Sequence, residues 1–188
     1  MKSLVKGILN SVFLVFAFPP ALLAGFGRIG FFFQIFAHAF ALMPGLPGDY
    51  ARAAFYHLTL QRFPFTSRIQ FGSFFAHPQA SVGEGVYIGS YCILGRVVLG
   101  DRTLLASSVQ ILSGKKQHGR TADGKIDPRE NYFETVSIGS DCWLGAGVIA
   151  MANVGAGTTV GAGSVVTSEI PPNSVAVGSP AKVIRSAS

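Results

Sequence analysis

From Val82 onward, an aliphatic residue followed by Gly or Ala recurs on a six-residue spacing: Val82-Gly83, Ile88-Gly89, Leu99-Gly100, Leu105-Ala106, Ile138-Gly139, Leu144-Gly145, Val154-Gly155 and Val160-Gly161. Four residues after each aliphatic stands a small or β-branched residue, in order Val86, Cys92, Thr103, Val109, Cys142, Val148, Thr158 and Ser164. Side chains alternate between the two sides of a strand, so a unit of six with two inward positions is a short strand plus a turn. Three such units close a triangular coil, and stacked coils make a solenoid. The aliphatic residues fill the axis of the prism. Gly or Ala follows where a corner brings backbones close or needs a positive φ. The two cysteines, Cys92 and Cys142, hold the small inward position and read as core filler, without the spacing of a redox pair or a zinc site. The step is one residue short between Ile88 and Leu99 and two short between Leu144 and Val154, so the coils should tighten or bulge there.

Ahead of the repeat the chain changes character. Only 13% of its residues are charged, against about a quarter in an average soluble domain, and from Gly7 to Gly48 the one formal charge is Arg28. A spanning helix wants about 20 apolar residues in a row. Pro19-Pro20 and the glycines at 25, 27 and 30 are expected to break this run into two short apolar helices that lie on or re-enter a membrane. Lys2, Lys6, Arg52, Arg62 and Arg68 would then meet anionic head groups. Lys2 and Lys6 before an apolar run imitate a secretory signal, but no clear A-x-A site follows the first apolar run and the apolar character continues well past it. Residues Asp49 to Arg62 read as an amphipathic helix with Asp49 as N-cap and Ala53, Ala54, Phe55, Leu58 and Leu60 on its apolar side. The organisation expected is a membrane-associating segment over 1–48, a bridging helix over 49–68 and a solenoid over 69–188. The protein would sit at the cytoplasmic face of a membrane, and removal of residues 1–48 should leave a folded core. The net charge of +6 comes without a basic cluster interleaved with aromatics, so nucleic acid is not an expected partner.

Strand-like steps stop after Ile111 and resume near Val136, which leaves a loop over 113–135. Loops of this length in compact domains tend to be functional, and this one begins Ser113-Gly114-Lys115-Lys116-Gln117-His118-Gly119-Arg120. An acceptor hydroxyl is a weak nucleophile at neutral pH, and a neutral imidazole, with its ordinary pKa of about 6.5, can take the proton as the oxygen attacks a thioester. His38 lies in the apolar segment, His57 on the bridging helix and His77 before Pro78 at the entry to the first coil, which leaves His118 as the candidate base.

Ile111-Leu112-Ser113-Gly114 leading to His118, then Asp141-Cys142-Trp143-Leu144-Gly145, then Val160-Gly161-Ala162-Gly163-Ser164-Val165-Val166-Thr167, and finally Ile170-Pro171-Pro172 with Gly178-Ser179-Pro180-Ala181-Lys182-Val183-Ile184 follow one another in family order. In these motifs the chain resembles the hexapeptide-repeat O-acetyltransferases of the maltose, galactoside and virginiamycin group and the polysaccharide O-acetyltransferases. The resemblance implies a left-handed parallel β-helix over roughly 69–185 and a homotrimer. It also implies acetyl-coenzyme A as co-substrate, no permanently bound cofactor or metal, and direct transfer to a hydroxyl with His118 as catalytic base. Residue by residue, it assigns the donor contacts to Trp143, Ala146, Gly161, Ala162, Thr167, Lys182 and Arg185, with Ser168 standing where the family often has Lys. Membrane attachment favours a saccharide or lipid-linked glycan as acceptor. Two rivals share the solenoid. A γ-class carbonic anhydrase would need paired zinc-binding histidines, and the core offers only His77 and His118. A non-catalytic scaffold in a membrane-bound polysaccharide assembly complex would bind no donor.

Overall fold

The computed structural model describes residues 2–115 and 117–186; Met1, Lys116, Ala187 and Ser188 lie outside the described residues, as do the side chains of Lys2, Ser3, Leu4 and Pro128. Three parallel ladders form the faces of a left-handed β-helix. The first stacks Ile69, Ile88, Leu105, Leu144, Val160 and Ala176 in register. The second stacks Phe75, Leu94, Ile111, Ala150 and Val166. The third stacks Val82, Leu99 and Ile138 and continues through single bridges to Val154 and Ile170. All of these side chains point inward and are buried, as are the predicted small positions from Val86 to Ser164. Burial of each aliphatic side chain stabilises the fold by roughly 1.5–3 kcal/mol. The short steps fall at the corner that leads into the third face, from Leu94 to Leu99, from Ala150 to Val154 and from Val166 to Ile170. In the last two, the third strand shrinks to a bridge.

The glycine after each aliphatic is required by close approach and not by its dihedral angle. A Cβ on Gly145 would stand 2.6 Å from the Ala162 amide nitrogen, and one on Gly100 would stand 2.3 Å from that of Ser140. Positive φ occurs instead at turn residues such as Gly85, Gly147 and Gly163. Buried hydroxyls at small inward positions serve the next coil: Ser67 donates to the Gly83 carbonyl and accepts from the Val86 amide, and Thr103 donates to the Gly139 carbonyl. Both cysteines are buried and free, and burial pushes their thiols up.

Helix α1 (Lys2–Leu23) runs straight through Pro19 and Pro20, contrary to the expected break. The two missing N–H groups are tolerated because Phe13, Leu14, Ala17 and Ala21 on one side of the helix pack into the core. The turn comes at Gly25–Gly27, where Gly25, Phe26 and Gly27 all adopt positive φ. A Cβ on Gly27 would lie 2.2 Å from the Thr59 carbonyl oxygen, so only glycine fits there. Helices α2 (Gly30–Ala41) and α3 (Gly45–Thr59) follow. Helix α3 starts at Gly45, before the predicted N-cap, and Asp49 lies inside it, paired with Arg52.

The helices close the N-terminal end of the solenoid. Phe33, Phe55, Tyr56, Phe63 and Phe75 form one buried aromatic cluster, and the Tyr56 hydroxyl accepts the Phe75 amide at 3.2 Å. Burial pushes the Tyr56 phenol well above its usual range. Arg52, assigned from sequence to head groups, is 0% exposed. It donates to the carbonyls of Phe40, Met43 and Ile69 and so ties α2, α3 and the first coil together. Removal of residues 1–48 would take away α1 and α2 and uncover Ala54 and Phe55 on α3. The opposite side of α1 and α2 remains apolar and open, with Val15 75% and Phe31 70% exposed. The stretch Val5–Leu23, of mean hydropathy 1.6, is long and apolar enough to cross a membrane by length and composition.

Candidate active site

The segment between Ile111 and Val136, expected as a loop, is a two-stranded antiparallel arm made of His118–Arg120 and Ile126–Asn131. A tight turn closes its tip: the Thr121 amide donates to the Lys125 carbonyl, and Arg120 donates to the Gly124 carbonyl at 2.7 Å. At its base the Tyr132 amide donates to the Gln117 carbonyl and the Glu134 amide to that of Ser113. Gly119 is required here, because Glu130 packs where its Cβ would stand. The Arg129 guanidinium holds the Asp127 carboxyl below the usual carboxylate range.

His118 is exposed at the start of the arm. Its Nδ1 lies 3.0 Å from Asn131 Oδ1, directly across the ribbon. An amide oxygen only accepts, so Nδ1 carries the proton and Nε2 keeps a free lone pair. The imidazole borders an open cleft of about 660 Å³ with Leu112 and Met151 at the solenoid wall, Ile126 and Tyr132 on the arm, and Lys115 and Arg120 at the rim. Asn131 was invisible in the sequence because its position opposite His118 depends on an irregularity in the arm's register between Asp127 and Asn131.

The predicted donor residues divide into two groups. Thr167 follows Val166, and the register of the second face places it one coil below Met151, in line with the His118 cleft. Trp143, 55% exposed, stands on the outside of the first face in a row with Thr159, Val175 and Arg185. Three strand spacings separate Trp143 from Arg185, about 14 Å. Ala146 and Ala162 stack on the corner beside that face, where the Gly163 amide donates to the Ala146 carbonyl. Gly161 precedes Ala162 on the same corner, and Lys182 is paired with Val177 directly below. The width of the second face, five residues or roughly 16 Å, parts this corner from the His118 cleft. One chain therefore does not bring His118 and Trp143 together.

Repeat, register and ladders define the chain as a left-handed parallel β-helix of hexapeptide repeats. It is similar to acetyltransferases of that architecture. Galactoside O-acetyltransferase of Escherichia coli strain K12 is 37% identical over 92 residues, which cover 47% of this chain and 43% of that protein. The crystal structure of a maltose O-acetyltransferase from Clostridium difficile 630 superposes with a TM-score of 0.72 at 27% identity and covers 84% of this chain and 85% of that one. A hexapeptide-repeat acetyltransferase from Vibrio cholerae O1 biovar eltor, complexed with acetyl-coenzyme A, shares the fold with a TM-score of 0.61 at 20% identity, covering 88% of this chain and 89% of that one. The chain spans less than half the length of the curated relatives it matches. No protein-family model matches it.

Proposed function

We propose that the protein is an O-acetyltransferase that carries an acetyl group from acetyl-coenzyme A to a hydroxyl of a saccharide or lipid-linked glycan at a membrane surface. The observation that carries this reading is His118, held through Nδ1 by Asn131 at the edge of the cleft its side chain lines. Nε2 takes the proton of the acceptor hydroxyl as that oxygen attacks the thioester carbonyl. Collapse of the tetrahedral adduct breaks the carbon–sulfur bond, and the proton on Nε2 passes to the departing thiolate. No covalent acyl-enzyme is needed.

The separation of Trp143, Ala146, Gly161, Ala162 and Lys182 from His118 supports a site shared between copies of the chain. In a homotrimer the donor lies along the groove between neighbours, with the Trp143 corner of one subunit facing the His118 arm of the next. The open apolar side of α1 and α2 supports attachment to the cytoplasmic face of a membrane. Because α1 packs lengthwise on α3, with Phe13 stacked on Tyr50 at 5.6 Å, it lies along the membrane surface in this reading and does not cross it.

The test is turnover of acetyl-coenzyme A by the full chain in mild detergent with a panel of sugar and glycolipid acceptors, read as acceptor-dependent thiol release, together with direct donor binding. A chain that binds no donor is the scaffold. Changing Lys182 and Arg185 together to Ala should raise the KM for acetyl-coenzyme A about tenfold or more, since charge-assisted contacts to phosphate are lost. A donor lacking the 3′-phosphate should suffer less; equal losses would give these residues a purely structural role.

Asn131→Ala should lower kcat about tenfold to a hundredfold with little change in donor KM, because the imidazole loses the partner that selects its tautomer. Asn131→Asp restores an acceptor but adds a negative charge that favours the imidazolium, so its activity should recover only at higher pH. An alanine variant with unaltered kcat and pH profile would remove Asn131 from the mechanism.

A further inference from the structure

We propose that the cleft between α1, the start of α3 and the entry to the first coil binds the phosphate of an anionic membrane lipid. This rests on the membrane reading above and adds a defined head-group site to it. Lys6 and Asn10 from α1, Leu46 and Tyr50 from α3, and Phe65 and Arg68 from the coil line the cleft. Its volume, about 80 Å³, suits a group the size of a phosphate and not a glycan. No lining residue is shared with the His118 cleft.

The charge balance of the cleft selects an anion. The ion pairs among the described residues are Arg52–Asp49, Arg62–Glu84, Arg102–Asp141, Lys125–Asp123 and Arg129–Asp127, so Lys6 and Arg68 carry uncompensated charge. Asp49, the acidic residue in the lining, has both oxygens engaged: Oδ1 accepts from Arg52 at 2.5 Å and Oδ2 from the Gln70 amide at 3.1 Å. Two free cations thus face a small hollow whose one carboxylate is already neutralised.

The surroundings select a lipid over a free phosphate. Leu46 is exposed in the cleft wall, and Val5, Ile8, Val12 and Val15 form an exposed apolar row on the other side of α1, which brings this end of the chain to the bilayer. A phosphate seated between Lys6 and Arg68 would belong to a lipid of the bilayer on which α1 lies, with Leu46 beside its glycerol and first acyl carbons, whereas a soluble phosphate would leave Leu46 in water.

The test is binding of the full-length protein to vesicles of phosphatidylcholine alone and of phosphatidylcholine with phosphatidylglycerol. At the usual worth of a basic residue near an anionic surface, wild type should bind the anionic vesicles about tenfold to thirtyfold more tightly. The double variant Lys6→Gln with Arg68→Gln should lose that increment yet bind neutral vesicles like wild type. A charge-matched control, Lys125→Gln with Arg129→Gln on the arm, should keep the increment, and so should the charge-conserving pair Lys6→Arg with Arg68→Lys. Equal loss in the control would mean diffuse attraction and overturn the proposal. Wild type with no anionic preference would also overturn it while leaving membrane attachment intact, and no binding to either vesicle would remove both. Soluble glycerol phosphate should compete far less well than short-chain phosphatidylglycerol; equal competition would make this a free-phosphate site and end the lipid assignment.

Discussion

His118→Ala should lower kcat about 10²–10⁴-fold, the usual worth of a positioned general base, while the donor binds almost as in wild type. The imidazole stands exposed on the arm, anchored by the 3.0 Å contact with Asn131, so its loss leaves no cavity and disturbs no coil. The ladders from Ile69 to Ala176 close without it. A fall in kcat with an unchanged unfolding midpoint therefore separates chemistry from folding. Glutamine is a useful companion, since it keeps a polar side chain in place but cannot accept and pass on a proton; His118→Gln should be nearly as slow as the alanine variant. If acceptor-dependent thiol release continues at the wild-type rate in either, another residue is the base, and the reading of the His118 cleft falls with it.

The solenoid was legible because it is a local, repeated pattern: each inward aliphatic and each small residue four places later obeys the same geometry, so errors at one step are corrected by its neighbours. The steps missed in the repeat, Leu94 and Ala150, stand beside the short corners where the period slips, and stacking rather than spacing reveals them. His118 was legible as a candidate base from its chemistry and its motif. Asn131 was not, because a contact across an irregular ribbon leaves no periodic trace. The division of the donor residues between two corners was likewise hidden, since motif order along the chain carries no information about which face of a triangle a residue occupies. At the N-terminus local rules misled. Two prolines in a row argue for a break, yet tertiary packing of Ala17 and Ala21 carries α1 through them. Arginine in an apolar neighbourhood argues for a membrane surface, yet Arg52 is satisfied from within.

Arg52 is the residue whose replacement should cost the most stability. Its guanidinium makes hydrogen bonds to carbonyls from two separate parts of the chain, at 3.0 Å to Phe40, 3.4 Å to Ala41 and 2.7 Å to Met43 at the end of α2 and at 3.0 Å to Ile69 in the first coil, and pairs with Asp49. Burial lowers its pKa, and the Asp49 carboxylate opposes that shift, so the cation and its partner hold each other in place. Arg52→Met keeps much of the volume but leaves the Asp49 carboxylate unpaired and takes the side-chain donor from these carbonyls at once. Removing one partner of a buried ion pair destabilises by about 3–5 kcal/mol. Lysine should rescue little, because one ammonium cannot reach in the several directions spanned by a planar fork. The double variant Arg52→Met with Asp49→Leu removes the stranded carboxylate and should recover part of the loss, though the Met43 and Ile69 carbonyls still lose their side-chain donor. Equilibrium unfolding of the full chain in detergent, followed by circular dichroism, gives the comparison. A loss below about 1 kcal/mol for Arg52→Met would mean that the helical cap is held by its aromatic cluster alone and that Arg52 is incidental to its docking.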